Sequence, residues 1–317
     1  MRVRVLYHDH CFDGAAAAAF FTRFTRAQFY PGAEYFYTGL MHKASQIFEE
    51  HLFDGDENAI VDFKYSSHPK VSWWFDHHQS AFLCEEDAGH YRLNRSPRKT
   101  YDPNFKSCTK FIAHIAREQF GFQAPDLNEL VRWADIVDGA QYASAREAVE
   151  LTSAASKIVL VIEGARSSDV VQTIIRGMTH RTLDDIVTEP SVQGEYEPLY
   201  RRHLDSIEII RRKSQADNRV VFFDLTEDGL EGYNKFVPYY LFPSSVYTVS
   251  VLIASFRTKV SVGSNPWAGE MPKHNLATIC ERHGGGGHPR VGAISFERHQ
   301  VEEARRVAHE IAAELAR

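Results

Sequence analysis

The chain has 317 residues, 44% of which are hydrophobic, and its formal net charge is −6. This length suffices for one large core or, as we expect, for two ordinary ones. A negative net charge excludes a global basic field that would attract long nucleic acid or an anionic membrane. A local cationic pocket could still bind a small nucleotide or a short oligonucleotide.

The four cysteines are scattered along the chain, with no C-x-x-C pair and no zinc-ribbon spacing: they are Cys11, Cys84, Cys108 and Cys280. This pattern is typical of the reduced thiols of an intracellular protein. The sequence opens with a predicted strand and not with a charged leader, and no apolar run approaches the ~20 residues needed to span a bilayer. We therefore expect a soluble cytoplasmic protein.

The first predicted strand ends at Tyr7-His8 and is followed by a polar turn and then by helix-forming residues 15–24. Strand, turn and helix form the opening unit of an α/β sheet, in which ligands gather at the carboxyl ends of strands. The turn region contains four possible metal ligands, His8, His10, Cys11 and Asp13. As alternatives, Asp13 could cap the helix and Cys11 could belong to the core.

The next elements are a predicted strand at residues 34–37, a helix at residues 43–51 and a third strand at residues 59–63. Asp62 lies where the third strand ends. A carboxylate in an otherwise apolar strand is costly to bury unless it is paired or binds a metal.

A short apolar run at residues 71–75 predicts a fourth, buried strand, and Asp76-His77-His78 closes it. Neutral imidazole is the commonest transition-metal ligand in proteins, and a neighbouring carboxylate can orient the ring. Adjacent residues of an extended chain point to opposite faces, so both histidines can serve one site only where the strand has ended. Three strands thus deliver an Asp or a His to one edge, which predicts a metal site; a polar surface loop is the alternative.

Two helices are predicted after a polar loop at residues 94–104, the first at residues 107–120 and the second at residues 126–137. The second helix places Asp135 and Asp138 near its end, where carboxylates oppose the helix dipole and a nearby cation would stabilise them. A solvated helix face is the alternative.

Residues 143–180 are expected to be helical in pieces, and a long charged helix at residues 195–215 is expected to connect two domains. A second α/β domain follows, with strands at residues 219–223, 247–255, 258–262 and 292–296 and helices at residues 274–283 and 301–315.

A glycine run, Gly284, Gly285, Gly286 and Gly287, follows the first of these helices and leads into His288-Pro289-Arg290. Glycines let the backbone approach a ligand closely and offer several N–H groups to an anion. His288 and Arg290 add side-chain donors, and arginine suits phosphate through its bidentate fork. The run predicts a phosphate-binding segment, with a flexible turn as the alternative.

Together these residues resemble the DHH phosphoesterase superfamily, which includes RecJ-type exonucleases, nano-RNases, cyclic-dinucleotide phosphodiesterases, exopolyphosphatases and family II inorganic pyrophosphatases. The similarity covers nearly the whole chain. The matching motifs are Tyr7-His8 to Gly14, Val61-Asp62, Asp76-His77-His78, Ala134-Asp135 and the Gly284 to His288 run, which is similar to the DHH-associated domain.

The resemblance implies a two-metal centre that usually holds Mn²⁺, with Mg²⁺ or Co²⁺ as alternatives. Asp62 would bridge the ions, and the further metal ligands would be His8, Asp13, His77 and Asp135. His78 would contact the scissile phosphate or protonate the leaving group, and Asp76 would orient the histidines. The substrate-binding residues would be Gly284, Gly285, Gly286, Gly287, His288 and Arg290.

One departure from the family pattern concerns Cys11, which falls where family members commonly carry an earlier aspartate of the first motif. A thiolate or imidazole there would favour a softer metal than Mn²⁺ or Mg²⁺, or would mean that one metal site is weakened.

The sequence thus predicts an α/β protein with an N-terminal parallel-sheet DHH domain (residues 1–190), a helical connector (191–216) and a smaller C-terminal substrate-binding domain (217–317), with the active site in the interdomain cleft. The expected activity is metal-dependent hydrolysis of phosphodiester bonds in short oligonucleotides or small nucleotides. The alternatives are a polyphosphate or phosphoanhydride hydrolase and a non-catalytic nucleotide-binding protein. No membrane or long-duplex partner is expected, and a homodimer is one assembly compatible with the sequence.

Overall fold

The structure, a computed structural model, describes residues 1–41, 48–217 and 219–317. The chain divides into two compact units. The first comprises Met1–Tyr142 and Thr152–Leu199, and the second comprises Ala143–Leu151 and Tyr200–Arg317. Each unit contains a β-sheet and helices, so the predicted α/β fold is confirmed.

Within the described part of the first unit, five strands form a sheet in the order β2-β1-β3-β4-β5, and every neighbouring pair is parallel. The strands are β1 (Arg2–His8), β2 (Glu34–Leu40), β3 (Glu57–Val61), β4 (Val71–Asp76) and β5 (Lys99–Tyr101). Because all strands run the same way, their carboxyl ends lie at one edge of the sheet.

In chain order, the α-helices of the described residues are α1 (Phe12–Gln28), α2 (Glu85–Asn94), α3 (Cys108–Phe120), α4 (Asn128–Asp138), α5 (Ala145–Glu150), α6 (Ala154–Gly164), α7 (Ser168–Met178), α8 (Leu183–Val187), α9 (Pro190–Lys213), α10 (Val237–Leu241), α11 (Leu276–Glu281) and α12 (Val301–Leu315). Short 3₁₀ turns occupy Glu50–Leu52 and Pro125–Leu127. None of the helices in these described stretches is long and apolar enough to cross a bilayer.

The first sheet is buried on both faces, as expected for parallel strands. Trp73 and Phe75 of β4 pack in the core formed with α1, α3, α4, α6 and α7, whereas Trp74, between them, packs in the core on the opposite face. This alternation follows from the two-residue period of a strand. It explains why the consecutive residues Trp73, Trp74 and Phe75 are all apolar.

Helix α1 fits closely against this sheet because its first half is built from small residues. Ala15, Ala16, Ala17, Ala18 and Ala19 are all fully buried. A Cβ atom at Gly14 would lie 2.1 Å from the carbonyl oxygen of His8, so only glycine allows the first turn of α1 to approach the end of β1 this closely. The helix N-terminus is thereby held beside the carboxyl end of β1.

Within the described part of the second unit, six strands form a sheet in the order β10-β11-β9-β8-β7-β6. They are β6 (Gln215–Asp217), β7 (Val220–Asp224), β8 (Tyr247–Ile253), β9 (Arg257–Ser264), β10 (Gly286–His288) and β11 (Val291–Glu297). Strands β7 and β8 are parallel, and the other pairs are antiparallel. Buried residues of α11 and α12 pack against one face of this sheet.

Most predicted elements are present, including the charged connector helix, which corresponds to α9. The helix predicted at residues 43–51 falls mainly on residues 42–47, outside the described residues. The polar loop predicted at residues 94–104 contains β5, and the three-residue strands β6 and β10 were not predicted. The predicted domain boundaries stay a prediction; residues 143–151, which they place in the first domain, belong to the second unit.

The glycine run forms a hairpin with β11, and two of its glycines have a packing role there. A Cβ atom at Gly285 would lie 2.3 Å from the Ala293 carbonyl oxygen, and one at Gly287 would lie 2.2 Å from the Val291 carbonyl oxygen. A Cβ atom at Gly286 would meet nothing within 4 Å. The hairpin therefore requires glycine at some of these positions irrespective of any ligand.

We expect the Gly285→Ala variant to lose about 1–3 kcal/mol of unfolding free energy, because the added methyl group must displace the backbone of β11. The Gly286→Ala variant is the matched control and should change it by no more than about 0.5 kcal/mol. Urea unfolding of both variants makes the comparison. Equal losses of unfolding free energy in the two variants would contradict the packing role assigned to Gly285.

Candidate metal centre and active site

The carboxyl edge of the first sheet brings together polar residues from separate parts of the chain. Strand β1 ends at His8, Asp62 directly follows β3, and β4 ends at Asp76, just before His77 and His78. Helix α1 adds Asp13 in its first turn, and α4 ends at Asp138. The predicted convergence of His8, Asp13, Asp62 and His77 is therefore present in the structure.

Asp62 lies at the centre of this group and is fully buried. Its Oδ2 atom lies 3.4 Å from His8 Nδ1, and its Oδ1 atom lies 3.3 Å from His77 Nε2. Among the described residues, neither oxygen has a hydrogen-bond partner. Its backbone has a φ of 57°, in the left-handed region that few non-glycine residues adopt. Buried carboxylate oxygens without hydrogen bonds suit a cation between them and the histidines.

His77 is held so that one ring nitrogen faces the carboxylates. Its Nδ1 atom lies 3.1 Å from the carbonyl oxygen of Phe105, which can only accept a hydrogen bond, so Nδ1 carries the proton. The other nitrogen, Nε2, lies 3.5 Å from Asp138 and 3.7 Å from Asp13. A backbone carbonyl that fixes the tautomer of a histidine in this way is typical of metal-ligating histidines.

Asp76 organises the segment that carries the two histidines. Its Oδ1 atom accepts hydrogen bonds from the backbone N–H of His77 at 2.8 Å and of His78 at 3.2 Å, and lies 2.7 Å from His78 Nδ1. Because an ionised carboxylate only accepts, His78 Nδ1 donates to it. The predicted orienting role of Asp76 has this geometric basis.

Asp13 is held by the N-terminus of α3. Its Oδ2 atom accepts from the backbone N–H of Cys108 at 2.6 Å, and its Oδ1 atom accepts from the N–H of Thr109 at 3.0 Å and from the Thr109 hydroxyl at 2.6 Å. A carboxylate is stabilised at a helix N-terminus by the N–H groups and the dipole. These contacts fix the carboxylate while leaving lone pairs on Oδ2 for a cation.

Three overlapping groups of residues in the described chain have ligand atoms within 4.8 Å of one another. They are His8–Cys11–Asp62, Asp62–His77–His78 and Asp13–His77–Asp138. The donors are imidazoles, carboxylates and one thiol, which fit a divalent transition metal.

The electrostatics of the cluster also fit a cation. Burial, and next the charge of Asp62, raise the pKa of Asp138, and they raise the pKa of Asp13 well above its usual range. Burial lowers the pKa of His77, but Asp62 and Asp13 outweigh it and raise that pKa to about 10. The carboxylates thus draw a proton onto the histidine, and a metal ion bound to the same lone pair would replace that proton.

Comparisons with known proteins identify the fold. No protein-family model and no curated protein matches the sequence. The structure is similar to the pGpG-specific phosphodiesterase PggH from Vibrio cholerae, with 18% identity, a TM-score of 0.71 and 99% of each chain covered. It is also similar to RecJ in complex with Mn²⁺ from Thermus thermophilus and to a DHH domain from a member of a ribosomal-protein family.

The RecJ match has 15% identity and a TM-score of 0.56, and covers 99% of this chain and 52% of RecJ. The match to the DHH domain of the ribosomal-protein family has 12% identity and a TM-score of 0.54, and covers 98% of this chain and 86% of the other. The chain therefore has the same fold as these proteins. It spans about half the length of RecJ.

Asp135 was predicted as a metal ligand of the DHH site, but the structure directs it elsewhere. Its Oδ2 atom lies 2.7 Å from Lys110 Nζ, and its Oδ1 atom accepts from the Ser107 hydroxyl at 3.3 Å. Asp138, three residues further along α4, faces His77 instead. The sequence signal for Asp138 was its position at the last residue of a helix, where a carboxylate needs a compensating cation.

The predicted substrate-binding residues of the DHH-associated segment lie in the second unit. His288 and Arg290 are exposed. In the described part of the chain, the Arg290 side chain makes no hydrogen bond or ion pair, although its backbone oxygen accepts from Ser264. Exposed donors of this kind are available to an anion, and the assignment of the segment to substrate binding stays a prediction.

We expect Asp138→Asn to weaken Mn²⁺ binding by at least about tenfold, since even an outer-shell partner of a ligand is commonly worth 10–100-fold in metal affinity. Asp135→Asn is the matched control. It removes a carboxylate from the same helix, but that carboxylate is paired with Lys110. Calorimetric titration of both variants with Mn²⁺ measures the difference. A larger loss of Mn²⁺ affinity in Asp135→Asn would favour Asp135 as the metal ligand, as predicted from the sequence.

Proposed function

We propose that this chain is a metal-dependent phosphoesterase that hydrolyses phosphodiester bonds of short oligonucleotides or small nucleotides. The observation that carries the proposal is the buried Asp62 carboxylate, whose two oxygens lack hydrogen bonds in the described chain and face His8 on one side and His77 on the other. Two proteins with the same fold, a pGpG-specific phosphodiesterase and RecJ bound to Mn²⁺, support this choice of chemistry.

The residues that would hold the metal are His8, Asp13, Asp62 and His77, with Asp138 in place of Asp135. Carboxylates and imidazoles suit Mn²⁺ first, with Mg²⁺ and Co²⁺ as alternatives. Two divalent ions bound there would lower the pKa of an attacking water and offset the charge of the phosphoryl oxygens.

The chain's own groups would then orient the reaction. Asp76 holds the Nδ1 side of His78, so that the opposite side of the ring is directed away from that carboxylate. The His78 side chain is 28% exposed, whereas the His77 side chain is 8% exposed. His78 is therefore the histidine that can reach a substrate, and we assign it the contact with the scissile phosphate or proton donation to the leaving group.

The second unit would bind a distant group of the substrate through His288, Arg290 and the glycine hairpin. Binding a distant phosphate restricts the motion of the reacting phosphate, and this lowers the entropic cost of reaching the transition state. The net charge of −6 disfavours long nucleic acid as the substrate, because protein surfaces that bind along a nucleic-acid backbone are basic.

A substrate screen tests this function. With Mn²⁺, the purified protein should hydrolyse linear dinucleotides or short RNAs faster than inorganic polyphosphate, and a chelator should stop the reaction. Asp62→Asn should abolish turnover, because the amide cannot act as a shared anionic ligand. Faster release of phosphate from polyphosphate would favour the phosphoanhydride hydrolase, and binding without any turnover would favour a non-catalytic nucleotide-binding protein.

His78→Ala should keep the bound metal, because Nδ1 of His78 is engaged by Asp76. The variant should lower kcat by about 10²–10⁴-fold, the usual contribution of a general acid or base. His10→Ala is the control, since His10 lies in the same region but in none of the three ligand groups. Metal content by elemental analysis is measured together with kcat. If kcat is retained while the metal is lost, the roles of the two adjacent histidines are reversed.

Arg290→Ala should raise KM for a substrate with a second phosphate by about 10–100-fold, because a lost charge-assisted hydrogen bond costs about 1.5–3 kcal/mol. A simple chromogenic phosphodiester offers Arg290 no second phosphate and should be hydrolysed almost as before. The control is Arg298→Ala, an exposed arginine of the same unit. Equal losses on both substrates would show that Arg290 acts on the reacting group or on the fold, and no loss on either would eliminate the anion-binding role.

A further inference from the structure

The metal cluster contains one soft donor, the thiol of Cys11. Its Sγ atom, a ring nitrogen of His8 and a carboxylate oxygen of Asp62 lie within 4.8 Å of one another. Cys11 is the N-cap residue of α1, the 17-residue helix that also carries Asp13. The thiolate is the form of cysteine that binds a metal, so a cation bound here would replace the proton of the thiol.

The second observation concerns Asp62, which is fully buried and directs its two oxygens, neither hydrogen-bonded in the described chain, to different partners. Oδ2 faces His8, which forms a ligand group with Cys11, and Oδ1 faces His77, which forms one with Asp13 and Asp138. A carboxylate with two such oxygens can serve two cations at once. The cluster therefore offers two adjacent positions that share Asp62.

The two positions differ in their donors. The first combines imidazole, thiolate and carboxylate from His8, Cys11 and Asp62, whereas the second combines one imidazole with the carboxylates of Asp13, Asp138 and Asp62. Thiolate selects borderline and soft ions such as Zn²⁺, and an oxygen-rich set suits Mn²⁺ or Mg²⁺. One centre thus presents two chemically unequal sites.

We propose that the protein holds a mixed-metal centre, with a Zn²⁺-class ion (Zn²⁺, Fe²⁺ or Co²⁺) at His8–Cys11–Asp62 and Mn²⁺ or Mg²⁺ at Asp13–His77–Asp138. Binding of the first ion converts the Cys11 thiol to a thiolate and releases its proton to solvent. The inference rests on the proposed function in that it takes this cluster to be the metal centre, and it specifies which metal each position selects.

Cobalt spectroscopy tests the thiolate ligand independently of activity. Metal-free wild-type protein titrated with Co²⁺ should develop a thiolate-to-cobalt charge-transfer band in the near ultraviolet. Cys11→Ser should lose this band, while Cys84→Ser should keep it, because Cys84 is exposed and belongs to none of the ligand groups. A wild-type protein without the band, or a Cys11→Ser variant that retains it, overturns the proposal.

Elemental analysis tests the selectivity. After loading with one equivalent of Zn²⁺ per chain and an excess of Mn²⁺, and removal of free metal, the wild type should retain one of each per chain. Cys11→Asp replaces the soft donor by an oxygen donor; its Zn²⁺ content should fall by about tenfold or more, and its first position should take Mn²⁺ instead. A wild type that retains two Mn²⁺ overturns the proposal.

The outcomes separate this inference from the proposed function. Hydrolysis of dinucleotides without a charge-transfer band would refute the mixed-metal centre and leave the phosphoesterase function standing. A charge-transfer band that depends on Cys11, in a protein that hydrolyses no phosphodiester, would uphold the mixed-metal centre and refute the function.

Discussion

The structure of this site depends on a carboxylate that is buried without hydrogen bonds. Removing a charge from water costs several kcal/mol unless a partner compensates it, and neither oxygen of Asp62 is hydrogen-bonded in the described chain, while His8 and His77 lie within 3.4 Å. The left-handed backbone of Asp62 adds to this cost. A buried carboxylate of this kind, flanked by two histidines, suits a cation, and the surrounding groups are arranged in a way that could hold one.

The rest of the first unit positions partners around this carboxylate. The parallel sheet places the ends of β1, β3 and β4 side by side, and the close approach of α1, which Gly14 permits, brings Asp13 to the same edge. The outer contacts then fix the ligands: the Phe105 carbonyl sets the tautomer of His77, and the N-terminus of α3 holds Asp13. Ligands that are oriented before metal binding lose less freedom when the metal binds.

Much of this site could be predicted from sequence because the parallel sheet converts a local pattern into a spatial one. An Asp or His at the end of each buried strand must reach the same edge, so His8, Asp62 and His77 were identified without knowledge of the packing. The choice between Asp135 and Asp138 could not be made in this way, because it depends on Lys110 and Ser107 of a neighbouring segment engaging one of the two. The contact between His77 and the Phe105 carbonyl could not be predicted from sequence either, since any residue type supplies the same backbone carbonyl.

Anomalous diffraction can show whether Asp62 is shared between two divalent cations. Crystals loaded with Mn²⁺ and Zn²⁺ would be measured above both absorption edges, which locates each ion and identifies its element. We expect two peaks, one beside each oxygen of the Asp62 carboxylate and about 3.5–4 Å apart. A single peak, or peaks bound to Asp135 with none beside Asp62, would contradict it.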